Sequence, residues 1–248
     1  MNRWIKKCNL LFLGLLTNSS MLLADWDPKE CFFDKDLSIL EEEGFTKLKT
    51  TVIDHLKDSW CSKEKASLLM DLILIEQPAV CVEVGAFTGS SSLPIATALS
   101  LLQKGTLYAV DAWSNNDAVQ YLVDDDPNKD WWSKVDMDAV FNIFQEMIDT
   151  WKLTAYCKPV KQPSDQAIRD FDQIDFLHLD GDYSEIGSLR DVELYLPKVK
   201  SGGYILFSNL YVMVKGKQPK QKAFCALFES CEMVCGIDRD NAILFRKN

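Results

Sequence analysis

Apolar positions along this chain recur with two different periods, and the alternation between them sets the expected elements. Residues 46–56 carry a weak helical period. Ser62 offers an N-cap, with Glu64 in the first turn, for a helix that places Ala66, Leu69, Leu72 and Ile73 on one face, and Pro78 stops it. Val80–Val84 is then a short apolar run of strand type, followed by a glycine-bearing turn and a helix through Leu102 that Gly105 should stop. Residues 107–110 form a second strand ending on Asp111, and residues 140–151 read as a helix. Further strands are predicted at 155–161, Ile174–Leu179 and 204–207, with helices between them. The chain should close with a helix at 223–231, an extended run at 232–236, a turn at 238–241 and a last strand at 242–245.

Strands alternating with helices predict an α/β fold with a doubly wound, Rossmann-like sheet that is mostly parallel. The closing hairpin predicts one antiparallel strand near an edge. No repeat or Pro/Gly-rich linker divides residues 25–248, which are expected to form one domain. Residues 25–78 would be a helical lead-in, and residues 112–134, with Trp113, Trp131 and Trp132, a substrate lid following strand two. Those tryptophans could stack on an acceptor or simply pack the insertion down, and the pattern leaves both readings open.

Composition narrows the partners. The chain has 248 residues, 47% of them apolar, and a net charge of −10. Nucleic-acid binding needs a basic face and is therefore excluded, whereas a small-molecule ligand suits this balance. Residues 1–24 place Arg3, Lys6 and Lys7 before a short apolar run and small residues ending at Ala24, the order of a secretory leader. Export or membrane association through that segment is expected, with a cytosolic amphipathic helix as the alternative. A homodimer is compatible with the chain. Eight cysteines are present, and removal of the leader would leave seven: Cys31, Cys61, Cys81, Cys157, Cys225, Cys231 and Cys235. None forms a Cys-x-x-Cys pair, which argues against zinc. Cys31 and Cys61 could pair in an exported protein.

The segment Glu83-Val-Gly-Ala-Phe-Thr-Gly-Ser-Ser91 carries the chemistry. It leaves a strand, turns on Gly85 and Gly89, and opens a helix. Gly85 lets backbone approach a ligand, and Gly89 can supply a conformation closed to larger residues. The helix start offers unpaired N–H groups and a positive dipole end, with the Ser91 hydroxyl beside them. Asp111, at the next strand tip, can accept hydrogen bonds from both hydroxyls of a ribose. That geometry serves NAD as well as S-adenosylmethionine (SAM). The turn favours SAM, because Ala86-Phe87 stands where a dinucleotide fingerprint wants its second glycine.

This turn resembles the first motif of small-molecule O-methyltransferases of the catechol and caffeoyl-CoA type. Ile174-Asp-Phe-Leu-His-Leu-Asp-Gly-Asp-Tyr-Ser-Glu185 and Leu196-Pro-Lys-Val-Lys-Ser-Gly-Gly-Tyr-Ile-Leu-Phe207 are similar to later signatures of macrocin-type and related bacterial enzymes. The resemblance implies a seven-stranded class I methyltransferase sheet with SAM across the carboxyl ends of the first strands. By position it would place Glu83, Gly85, Phe87 and Ser91 around the methionine part of SAM, with Gly89 shaping the turn. Asp111 would hold the ribose, Ser164 would lie near the adenine, and Asp180 would face the reacting end as the catalytic residue. Transfer to an oxygen of a small acceptor is the implied reaction.

Neighbouring strands lie ~4.8 Å apart, so Asp180 and Asn209 on adjacent tips can share one substrate or one ion. In metal-dependent relatives, a carboxylate here and an acid-Asn pair at the next tip hold Mg²⁺. This chain has Ser208 where that acid stands, leaving Asp180, Asn209 and Asp182 as candidate ligands. Tyr183 stands where many bacterial relatives carry His. His178 shares a strand face with Asp180 but lies ~6.5 Å back along the chain, and reads as a core-lining residue. His55 falls outside every motif. These departures and the leader support one alternative, a non-catalytic exported binding or effector protein that keeps the fold. An NAD-linked oxidoreductase rests on the strand–turn–helix geometry alone.

Overall fold

The computed structural model describes residues 26–32, 34–214, 216–237 and 242–248. The expected leader and the turn at 238–241 lie outside the described residues. Seven strands run as β1 (Val80–Val84), β2 (Thr106–Asp111), β3 (Cys157–Lys161), β4 (Ile174–Leu179), β5 (Val199–Phe207), β6 (Cys231–Ile237) and β7 (Ala242–Lys247). They form one sheet in the order β3-β2-β1-β4-β5-β7-β6. The pairs from β3 to β5 are parallel, and β7 runs antiparallel to both β5 and β6. The doubly wound fold and its single reversed strand are those expected from the pattern.

Six longer helices cover the sheet: α1 (Glu43–His55), α2 (Lys63–Glu76), α3 (Ser92–Leu102), α4 (Met137–Thr150), α5 (Glu185–Tyr195) and α6 (Gln221–Ser230). A strand points successive side chains to opposite faces, so β1 feeds two cores. Cys81 joins the cluster containing Ile73 of α2, Leu99 of α3 and Phe144 of α4. Val82 and Val84 join the cluster containing Val192 and Tyr195 of α5 and Phe224 of α6. Burial on both faces explains why β1 and β4 read as near-continuous apolar runs.

The start of α2 follows its sequence signal, with the Ser62 Oγ accepting from the Lys65 N–H at 3.1 Å. The end of α3 does not. Gln103 takes the left-handed capping conformation at φ 51°, and Gly105 lies beyond it. Gly105 is required by crowding instead, since a Cβ there would lie 2.3 Å from the Pro78 carbonyl oxygen. Strand β5 is five residues longer than the apolar run 204–207, because Val199 pairs with Ile174 across a register irregularity that precedes the Tyr204–Phe176 pair. The 112–134 insertion is also more ordered than a loop, with short helices at Asn115–Val119 and Lys129–Lys134. Among the described residues no helix is long and apolar enough to cross a membrane. Neither Cys31 nor Cys61 forms a disulfide, so the conditional pairing is not made; Cys31 instead adjoins Cys235.

Candidate active site

The turn after β1 is locked by its own backbone. Gly85 has φ +90° and donates its N–H to Val110 at 2.9 Å. Phe87 also lies in the left-handed region, at φ 47°. Its N–H donates to Asp111 Oδ2 at 3.0 Å, and its carbonyl accepts from Trp113 Nε1 at 2.9 Å. Gly89 (φ +88°) packs against α4, where a Cβ would meet Met147 Cε at 2.4 Å. Its role is close packing of the turn on that helix, and it does not line the cavity.

Glu83 also lies outside the cavity lining. Its fully buried carboxylate accepts from Ser91 Oγ at 2.5 Å and from the Ser92 hydroxyl, and it meets His178 Nδ1 at 2.9 Å. The other ring nitrogen of His178 bonds Ser208 Oγ at 3.0 Å. Both carboxylate oxygens are thus used within the protein, holding the start of α3 to the sheet. His178 is a wired core residue, as its depth on the strand implied.

A cavity of about 470 Å³ opens at the carboxyl ends of β1, β2 and β4. Gly85, Phe87, Ser91 and Asp111 line one part of it, and Ser164, Asp180 and Asn209 line another. Burial raises the Asp111 carboxyl above its ordinary range, against the N–H bonds from Trp113 and Phe87. Ser164 donates through Oγ to Asp191 Oδ1 at 2.6 Å. Asp182 is tied to the N–H of Ser184 at 2.6 Å, at the start of α5. His55 lies away from the cavity, edge-on to Trp151.

Burial pushes Asp191 up to about 7, against the Ser164 hydrogen bond and with the help of nearby Asp182. Between the ordinary value of 3.8 and about 7, the folded chain therefore holds a proton that the unfolded chain has released. That contribution is complete at low pH and is lost as pH rises toward 7. Asp191→Asn keeps an acceptor for Ser164 and removes the titration. The gap in melting temperature between variant and wild type should shift in the variant's favour by ~4 °C or more from pH 5 to pH 8, measured by calorimetry. Equal gaps at both pH values would refute the assignment.

Asp180 ends β4 and meets a lysine that sequence reasoning passed over. Lys65 Nζ lies 2.6 Å from Asp180 Oδ2, and Asn209 Nδ2 donates to Asp180 Oδ1 at 2.5 Å. Burial opposes charge on Asp180, yet Lys65, His178 and Lys220 together hold it below the usual carboxylate range. Lys220 is itself buried and donates to the Ser208 carbonyl at 2.8 Å. The residues present do not fit a magnesium site. Asp180 already has both oxygens engaged, Asn209 uses its amide nitrogen there, and the Ser208 hydroxyl turns inward to His178. Among the described residues no group of three His, Cys, Asp or Glu could hold a metal ion.

The tryptophans of the insertion divide their work. Trp113 is buried against Phe141 and Phe144. Trp131 and Trp132 instead join Phe87 and Trp60, whose ring stacks on Phe87 at 4.8 Å. Trp60 and Trp132 line the cavity. Trp60 precedes α2 and carries no periodic signal, so only the fold brings it here. Arg190 bonds Tyr121 Oη at 2.8 Å and Asp165 at 2.7 Å, tying the insertion to the Ser164 side of the cavity.

A doubly wound sheet with a ligand-sized cavity at its carboxyl edge, a glycine turn and an acidic second strand tip defines a cofactor-binding α/β enzyme. Residues 82–210, just over half of the chain, match the family profile described as a methyltransferase domain, and the chain belongs to that family, a SAM-dependent one. Solved structures share the fold at low identity. An O-methyltransferase from Bacillus cereus, in complex with S-adenosylhomocysteine (SAH), is 14% identical with a TM-score of 0.54, covering 93% of this chain and 99% of its own. The O-methyltransferase TomG from Streptomyces achromogenes, in complex with SAM, is 14% identical with a TM-score of 0.54, covering 90% and 96%. A caffeoyl-CoA O-methyltransferase-like protein from Staphylococcus aureus is 12% identical with a TM-score of 0.54, covering 90% and 100%. Comparison with curated proteins gives no match.

Proposed function

We propose that the protein transfers the methyl group of SAM to an oxygen of a small acceptor, releasing SAH. The observation that carries this reading is that one cavity joins the Gly85–Ser91 turn and Asp111 to Asp180 and Asn209 on the neighbouring strand tips. SAM, when bound, supplies an electrophilic methyl group on a sulfonium. The Gly85 turn and Ser91 would receive its amino-acid end, Asp111 its ribose hydroxyls and Ser164 its adenine side. Asp180 and Asn209 would orient the acceptor oxygen. The protein's contribution is then positioning and a fixed electrostatic setting. The aromatic surface of Phe87, Trp60 and Trp132 suits an acceptor with a flat apolar part.

Calorimetric titration with SAH and SAM tests the reading, and binding of neither would refute it. Asp111→Asn retains one acceptor for the turn but cannot serve two ribose hydroxyls. It should weaken SAH binding ~10-fold or more and lower the melting temperature by ~2–10 °C, because one turn N–H then faces an NH₂. SAH binding without methyl transfer to any fraction of an extract of the native cells would favour the non-catalytic alternative. Export through residues 1–24 is kept as part of the proposal, supported by the basic-apolar-small order of that segment. N-terminal sequencing of the protein from its native cell checks it, and an intact Met1 would refute cleavage.

A further inference from the structure

We propose that the Lys65 ammonium takes the place, at the reacting end of the cavity, that a divalent cation takes in metal-dependent relatives. Methyl transfer then proceeds without a metal ion, and Lys65 is the cation that faces the acceptor oxygen. The inference rests on the methyltransferase reading and adds a catalytic residue to it.

Lys65 belongs to the first turn of α2, outside the sequence motifs of the family. Its side chain is only 4% exposed, and a buried ammonium requires a partner. The partner is Asp180, at 2.6 Å, with Asn209 on its second oxygen. Lys65, Asp180 and Asn209 all line the cavity, so this charge pair faces the space where an acceptor would lie. A second lysine, Lys220, is buried behind the same strand tips. Two ammonium groups near one carboxylate repel a further cation, and Ser208 replaces the acid that would offset them. The charge that holds an oxyanion is supplied by the chain.

In the step this implies, Lys65 donates a hydrogen bond to the acceptor oxygen as its proton leaves to Asp180 and on to solvent. The oxygen forms a bond to the methyl carbon, the carbon–sulfur bond breaks, and its electron pair stays on sulfur. A fixed ammonium beside the developing oxyanion lowers the acceptor's pKa without coordination geometry. Such a site accepts a single hydroxyl, whereas a metal favours acceptors with two adjacent oxygens to chelate.

Titration of the full chain with Mn²⁺ in the presence of SAH, followed by the electron paramagnetic resonance of free Mn²⁺, tests this. Wild type and Lys65→Arg should show no saturable uptake that Asp180→Asn abolishes. Lys65→Met, or Lys65→Ala combined with Ser208→Asp, should take up a single equivalent that Asp180→Asn removes again. Asp180-dependent uptake by the wild type overturns the proposal, whatever the variants do. So does the absence of uptake in both substituted forms, provided that they still bind SAH. SAH calorimetry on each protein reports folding and tests the methyltransferase reading separately: no SAH binding by the wild type counts against that reading, not against cation exclusion.

Discussion

Gly85→Ala is expected to abolish SAH binding and to lower the melting temperature by ~5–20 °C. A Cβ built at Gly85 lies 2.6 Å from Gly181 Cα and 2.7 Å from both Asp180 O and Gly181 N. All three atoms are backbone, so no side chain can swing aside. Nor can the strands part easily, because Gly85 donates to Val110 and Asp180 donates to Val84, each at 2.9 Å. The left-handed conformation adds its own strain for any residue with a Cβ. Strain of ~1–3 kcal/mol and overpacking of a similar size together account for the predicted melting shift. Binding suffers more than stability, since any relief moves the Gly85 turn and the Asp180 tip apart. Calorimetry with SAH checks this, and an affinity within ~3-fold of wild type would sink the argument.

Glu83→Ala should be the second-largest effect, with a loss of ~3–5 kcal/mol in stability. The carboxylate is the shared acceptor for Ser91, Ser92 and the facing nitrogen of His178, all within the buried centre of the sheet. Removing it leaves two hydroxyls and a ring nitrogen without their partner, and a cavity where the side chain was. For a domain of this size that corresponds to a fall of ~6–20 °C in melting temperature. Glu83→Gln preserves volume but presents an NH₂ to one of its donors, so it should fall between the two. If Glu83→Ala melts within ~2 °C of wild type, the network does not hold the turn as described.

The two residues differ in how far sequence could reveal them. The glycine turn was legible because its backbone demands are local: a strand run, two glycines and a helix start within ten residues. The sheet was legible for a similar reason, since parallel strands buried on both faces leave uninterrupted apolar runs. The family resemblance places Glu83 beside the ligand, but its side chain belongs to the core. Register decides that, pairing Glu83 with His178 across β1 and β4. Lys65, Trp60 and Lys220 were missed because each is an ordinary residue in its own segment. Only the packing of α2 against the strand tips brings Lys65 to Asp180, 115 positions later in the chain. Ser208 stands out in the sequence as a departure from the resemblance, yet its inward bond to His178 cannot be read from its neighbours.

Phe87 has a consequence for how a ligand enters. A non-glycine residue at φ 47° carries ~1–2 kcal/mol of conformational cost, and the chain meets that cost with bonds to Asp111 and Trp113. The turn is therefore shaped by folding rather than by its guest. A ligand meeting a ready-made loop loses little affinity to ordering it. Association would then follow a single phase whose rate rises linearly with ligand concentration, the kinetic signature of a receptor that waits in its binding shape.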